Sequence, residues 1–137
     1  MLKVLRYRIY PTKTQSSKMV DTLELCRWTY NETLAARKNA WEEDGKSVSY
    51  YETKKLLPQW KGEKPELKGV HSQVLQDVVK RVDLAYQAFF CRVKDGGDPG
   101  YPRFKGYGSY DSFTYTQSVH PIRLFLETWK ALAFQDW

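Results

Sequence analysis

The sequence predicts an α+β fold, in the order strand, helices, strand, and three observations point to it. Segments near each end alternate apolar and polar side chains with a period of two. The stretch between them carries two long apolar stripes at three- and four-residue steps. Glycines and prolines fall between these segments rather than inside them.

Residues 2–10, LKVLRYRIY, are rich in β-branched and aromatic side chains, and alternation puts Leu5, Tyr7 and Ile9 on one face with Arg6 and Arg8 on the other. This is the pattern of a half-buried strand with a basic outer face. Pro11 ends it, and Thr12 followed by Gln15 matches a capping box, so a helix is expected from about residue 13. Met19, Leu23, Cys26, Tyr30, Leu34 and Trp41 carry its apolar stripe to about residue 43, with Gly45 as the stop. The acids at 42–44 oppose the helix dipole, so the last turn is expected to fray. A short helix over about 49–57 is expected to stop at Pro58, and KGEKPELKG reads as a loop. The third element, from SQVLQDVVK to the Gly96–Gly97 pair, places Leu75, Val78, Val82, Tyr86, Phe89 and Val93 on one stripe, with Asp77, Lys80, Arg81 and Asp83 away from it. The two long helices are expected to pack as an antiparallel hairpin. DSFTYTQ, alternating Phe113 and Tyr115 with Ser112, Thr114 and Thr116, reads as the second strand, able to pair with the first and carry the helices as an insertion.

The connector before that strand poses the functional question. GYPRFKGYGSYDSFTYTQ, residues 100–117, interleaves Arg103 and Lys105 with six aromatic rings in a segment too glycine-rich for a helix. One reading puts the cations on phosphates and exposed rings on unpaired bases. The other buries Phe104, Phe113 and Tyr115 against the helices, with glycines serving only the turns. KGYG also begins like a strand motif of RNA-recognition domains, but Ser109 stands where that motif requires an aromatic residue, so the match is ascribed to chance.

The chain has 137 residues and a formal net charge of +6, enough for one domain and favourable to an acidic partner. Residues 1–20 hold Lys3, Arg6, Arg8, Lys13 and Lys18 and no acid, so the basic character gathers at one end. Cys26 and Cys91 lack metal-ligand spacing and are assigned to the core as free thiols. Neither a signal peptide nor an apolar span of membrane length is recognisable, so a cytoplasmic protein without cofactor or metal is expected.

Several motifs together resemble the N-terminal region of the TnpB (OrfB-type) family: YRIYPTKTQ, CRWTYNETLAAR, VHSQVLQDVVKRVDLAYQAFF and above all GYPRFKGYGSYDSFTYTQ, in order and spacing across about residues 3–117. The resemblance implies part of a transposon-encoded, RNA-guided DNA endonuclease. It also implies a small barrel-like wedge module at 1–11 and 100–118, with a helical recognition lobe inserted over 12–99. By the same resemblance, this region grips guide RNA and reads a short DNA motif beside the target. The positions carried over are Arg6, Arg8, Tyr10, Lys13, Gln15, Arg103, Phe104 and Lys105, with His71 and Gln73 at the start of the third helix. Each has a plainer reading: Arg6 and Arg8 as the solvated face of a strand, His71 and Gln73 as a helix cap, Lys80 and Arg81 as a solvated helix face. Tyr30 and Asn31 are read as structural, Asn31 through a local hydrogen bond or cap.

The nuclease of that family lies beyond this region, with paired carboxylates holding two metal ions, and the acids here read as solvated surface. No cleavage by this polypeptide is therefore expected. Residues 119–137 depart from the family. Reading the codons of LAFQDW one nucleotide later permits Leu-Leu-Ser-Lys-Ile-Gly, close to a family motif, so this tail is expected to be either out-of-frame sequence or an apolar helix covering the core. Two function classes follow: a nucleic-acid-binding fragment with RNA and DNA as partners, or a helical protein-interaction module or gene remnant.

Overall fold

Two long helices lie side by side, joined by a folded-back limb, with an extended strap laid along them. This is the arrangement in a computed structural model that describes residue 4 and residues 6–115. Helix α1 spans Lys13–Asp44, α2 Tyr50–Lys54, α3 Leu57–Glu63 and α4 Ser72–Lys94, with a 3-10 turn at Pro65–Gly69 before α4.

Local chemistry sets the limits of α1. The Thr12 backbone N–H donates to Gln15 Oε1 (3.0 Å) and the Gln15 N–H donates to Thr12 Oγ1 (3.3 Å), the reciprocal capping box expected from the sequence. At the other end Gly45 takes φ +62°, and its N–H donates to the Trp41 carbonyl (2.9 Å). The helix runs unbroken through Asp44 despite its three terminal acids. Its 32 residues make it about 48 Å long, which exceeds α4 by more than two turns.

The helices are not an antiparallel hairpin. Cys26 lies near Asp77 and Arg81, Arg37 pairs with Asp83 and covers the Tyr86 ring, and Trp41 shares a cavity wall with Phe89 and Phe90. Residue numbers therefore rise together along both helices, and α1 and α4 run parallel. A parallel pair needs a connection long enough to return, and residues 45–71 supply it. Pro58 does not stop a helix there. It sits in the first turn of α3, where a missing N–H costs nothing, and the expected loop at 61–69 is the end of α3 followed by the 3-10 turn. Leu57, Trp60 and Leu67 of this limb are buried, with Trp60 edge-on to Trp28 of α1 (6.4 Å). They join Cys26, Tyr30 and Leu34 of α1 and Val74, Leu75, Val78, Val79, Val82 and Tyr86 of α4 in one core.

The α+β expectation is overturned: the described residues contain helices and no strand. In the N-terminal arm Tyr7 is 69% exposed and Ile9 42%, so alternation there meets no neighbouring surface. A strand without a paired neighbour gains no ladder of hydrogen bonds, and the described residues of the arm pair with no other described segment. Residues 111–115 are also not a strand; there Arg81 of α4 binds the Ser112 carbonyl and the Ser112 and Thr114 hydroxyls. Residues 116–117 of the expected second strand and the tail at 119–137 lie outside the described residues.

Three further expectations change. Cys91 is exposed, not in the core; only Cys26 is buried. Asp83 is buried, its Oδ1 accepting from Arg37 Nη1 at 2.9 Å and its Oδ2 from Gln87 Nε2 at 2.6 Å. Arg81, read as a solvated helix face, is instead bonded to Asp77, Tyr110, Ser112 and Thr114.

Candidate nucleic-acid interface

The strap, residues 99–115, runs antiparallel to both long helices. Tyr101 meets Tyr86 and Phe89 near the C-terminal end of α4, Lys105 meets Asn31 midway along α1, and Tyr115 meets His71 where α4 begins. Among the described residues its backbone has no ladder partner, and side chains from the helices hold it. Arg92 Nε donates to the Pro99 carbonyl (2.6 Å) and Nη2 to that of Gly100 (3.2 Å). Asn31 clamps Lys105 on both backbone groups: the Lys105 N–H donates to Asn31 Oδ1 (2.8 Å) and Asn31 Nδ2 donates to the Lys105 carbonyl (3.0 Å). Arg27 Nη1 adds a bond to the same carbonyl (3.2 Å). Arg81 Nη1 donates to Tyr110 Oη, the Ser112 carbonyl and Ser112 Oγ, while Nη2 reaches Thr114 Oγ1 and Nε is held by Asp77 Oδ2.

These anchors divide the rings of the strap. Tyr110 is buried against Tyr30, and burial, partly offset by Arg81, pushes its hydroxyl up to about 12. Phe113 and Tyr115 are half-buried. Phe104 stays 51% exposed with Lys38 Nζ 5.9 Å from its ring centre, and Tyr107 is 84% exposed. Tyr107 stands at the tip of a tight turn closed by the Ser109 N–H on the Gly106 carbonyl (3.0 Å), which needs φ +75° at Gly108. The KGYG sequence leads into this turn, which spans Gly106–Ser109.

The residues singled out from the sequence fall into three places. Arg6, Arg8, Tyr10 and Lys13 lie on the arm and the first turn of α1, all exposed, with the Arg8 guanidinium 5.5 Å from the Tyr10 ring centre. Gln15 is committed to the capping box through its side-chain oxygen. Arg103, Phe104 and Lys105 lie on the strap: Arg103 is exposed, whereas Lys105 is half-buried with its ammonium 5.6 Å from the Tyr30 ring centre. His71 caps α4, its Nδ1 accepting from the Gln73 N–H (3.1 Å). The structure therefore does not gather these residues into one pocket. From Lys13 to Asn31 α1 rises about 27 Å, so arm and strap are two cationic stations along one helix. Sequence reasoning missed the clamps by Asn31, Arg27 and Arg81. Asn31 drew notice beside the buried Tyr30, but its bonds reach 74 residues along the chain rather than being local.

Residues 1–46 match the OrfB/IS605 helix-turn-helix domain. An RNA-guided DNA endonuclease of Streptomyces pristinaespiralis is 32% identical over 124 residues, covering 88% of this chain and 30% of the relative. The RNA-guided DNA endonuclease InsQ of Escherichia coli is 31% identical over 120 residues, covering 86% and 29%. The first match defines the class, a protein bearing this helix-turn-helix domain. With both relatives, the chain is similar to the TnpB family over most of its own length. The chain spans about 30% of the length of these relatives. Within the matched span the described residues form the arm and the single helix α1, not two helices about a short turn. Among the described residues no group of three or more His, Cys, Asp or Glu is placed to hold a metal ion, and no helix is long and apolar enough to cross a membrane.

Proposed function

We propose that this chain is a nucleic-acid-binding unit of the TnpB type, contacting guide RNA and motif-adjacent DNA through the arm at Arg6, Arg8, Tyr10 and Lys13 and the strap at Arg103, Phe104 and Lys105. The observation that carries the reading is the strap clamp. Asn31 and Arg27 fix the backbone at Lys105 while the neighbouring Arg103 and Phe104 side chains remain exposed. A cation and a ring held on a fixed backbone suit phosphate contact and base stacking. Similarity to these relatives and a net charge of +6 support the same partner class. Because α1 is one continuous helix, the reading rests on these two stations and not on a recognition helix seated in a groove. It assigns no strand cleavage to these residues: Asp77 and Asp83 are each held by an arginine, as is Glu24 by Arg27.

The test is fluorescence anisotropy on duplex DNA and on structured RNA across a salt series. Binding should weaken steeply with salt. Changing Arg6, Arg8, Arg103 and Lys105 together to alanine should reduce the log–log salt slope on duplex DNA by about 3 to 4. A salt-independent parent, or a quadruple variant with the parental slope, overturns the proposal.

A further inference from the structure

At the C-terminal ends of α1 and α4, Trp41, Phe89, Phe90 and Tyr101 wall a cavity of about 220 Å³, with Arg37 and Lys46 also lining it. Three features set it apart from ordinary surface. Its rings are open to solvent, Trp41 being 61% and Phe90 53% exposed, although each is large and apolar. Among the described residues, cations line it and no carboxylate does. It is also continuous with the strap, because Tyr101 is both a wall of the cavity and the residue two before Arg103.

We infer that this cavity receives one unpaired base of the bound nucleic acid, stacked on Trp41 and Phe90, with the adjoining phosphate on Lys46. The inference rests on the proposed nucleic-acid binding and adds a site to it. Size favours a single planar group, since pockets for drug-sized ligands occupy about 300–1,000 Å³ and this one is smaller. Only an unpaired base offers its π-face to the rings, which separates this site from duplex contact along the arm. Charge argues against an apolar protein side chain as the occupant. Arg37 is already neutralised by Asp83, but covering the cavity with an apolar group would strip water from Lys46 without giving it a partner. A base carries its own phosphate to that ammonium. From Lys13 to Trp41 α1 rises about 42 Å, so the cavity and the arm are contacted by different parts of one ligand.

The test compares the chain with its Trp41→Ala, Phe90→Ala and Trp41→Phe variants on single strands of about eight nucleotides, RNA and DNA separately, and on a blunt duplex. Both alanine variants should bind single strands of at least one type about tenfold more weakly and the duplex within about twofold of the parent. Trp41→Phe should keep most single-strand affinity, because the ring is retained. Single strands bearing 5-iodouracil should photocrosslink to Trp41, Phe90 or Tyr101. If the parent binds both probes but the alanine variants match it on single strands of both types, or crosslinks map only elsewhere, the cavity site is overturned and the proposed function stands. If the parent binds neither probe, both fail.

Discussion

Burial holds several ionisable groups in their protonated form. The Cys26 thiol is pushed up to about 12 by burial, with Arg81 opposing, and the Tyr110 hydroxyl also reaches about 12 for the same two reasons. Burial also raises Tyr30 and Tyr86, the latter aided by its hydrogen bond to Tyr101 at 2.7 Å. In the unfolded chain the thiol and phenols would ionise near their ordinary values of 9.0 and 10.0. Between those values and about 12 the folded state therefore binds more protons than the unfolded one, so stability should be full below about pH 9 and fall as pH rises toward 12. Urea midpoints measured near pH 7 and near pH 10.5 should show the drop, and Cys26→Ala should shrink it; equal midpoints would contradict the assignment. Within the same core, the buried pair Arg37 and Asp83 differs in weight from the half-buried pair Arg27 and Glu24. The pair more open to solvent contributes about 1 kcal/mol, whereas removing one member of the buried pair leaves a stranded charge and costs about 3–5 kcal/mol.

At the scale of the element, α1 owes its limits to its two ends more than to its stripe. Gly45 adopts φ +62° with open space around the position of a Cβ, so Gly45→Ala should destabilise by about 1 kcal/mol through backbone strain alone. Gly45→Asn should cost less, since asparagine tolerates that region; equal urea midpoints for parent and Gly45→Ala would refute the account. Signals of this kind were legible in the sequence: Thr12 with Gln15 and Gly45 mark both ends of α1, and the Gly96–Gly97 pair marks the end of α4 to within a few residues. The direction of packing was not. A stripe of Leu75, Val78, Val82 and Tyr86 tells which face is buried but not which way the partner runs, and the parallel arrangement depends on a limb whose short helices have little periodicity to show. Pro58 was ambiguous for a physical reason, because the same ring that ends one helix is welcome in the first turn of the next. The arm misled because alternation records what a strand would need, and no described segment pairs with it.

For the whole molecule, the strap turns two parallel helices into a surface with a defined register. The candidate residues of the strap were visible in the sequence, since Arg103, Phe104 and Lys105 stand out in a glycine-rich aromatic segment. What holds them was not visible, because a clamp between residues 31 and 105 leaves no mark in local pattern. If the strap is a positioned surface, its anchor should matter even where no charge is lost. Asn31→Ala removes both clamp bonds, leaving the Lys105 carbonyl with Arg27 alone and its N–H with no partner from α1. Two lost hydrogen bonds of about 1 kcal/mol each are a small share of a domain's stability, so the helices should persist while the centre of the strap loosens. Amide hydrogen exchange should then quicken at residues 103–107 and stay at the parental rate in α1 and α4. Nucleic-acid affinity should fall several-fold, because Arg103 and Phe104 must now be ordered at the moment of binding, yet the salt slope should not change, since every cation remains. Parental exchange at 103–107 would show that other contacts hold the strap. A reduced salt slope would show instead that the variant had removed phosphate contacts, and not merely their support.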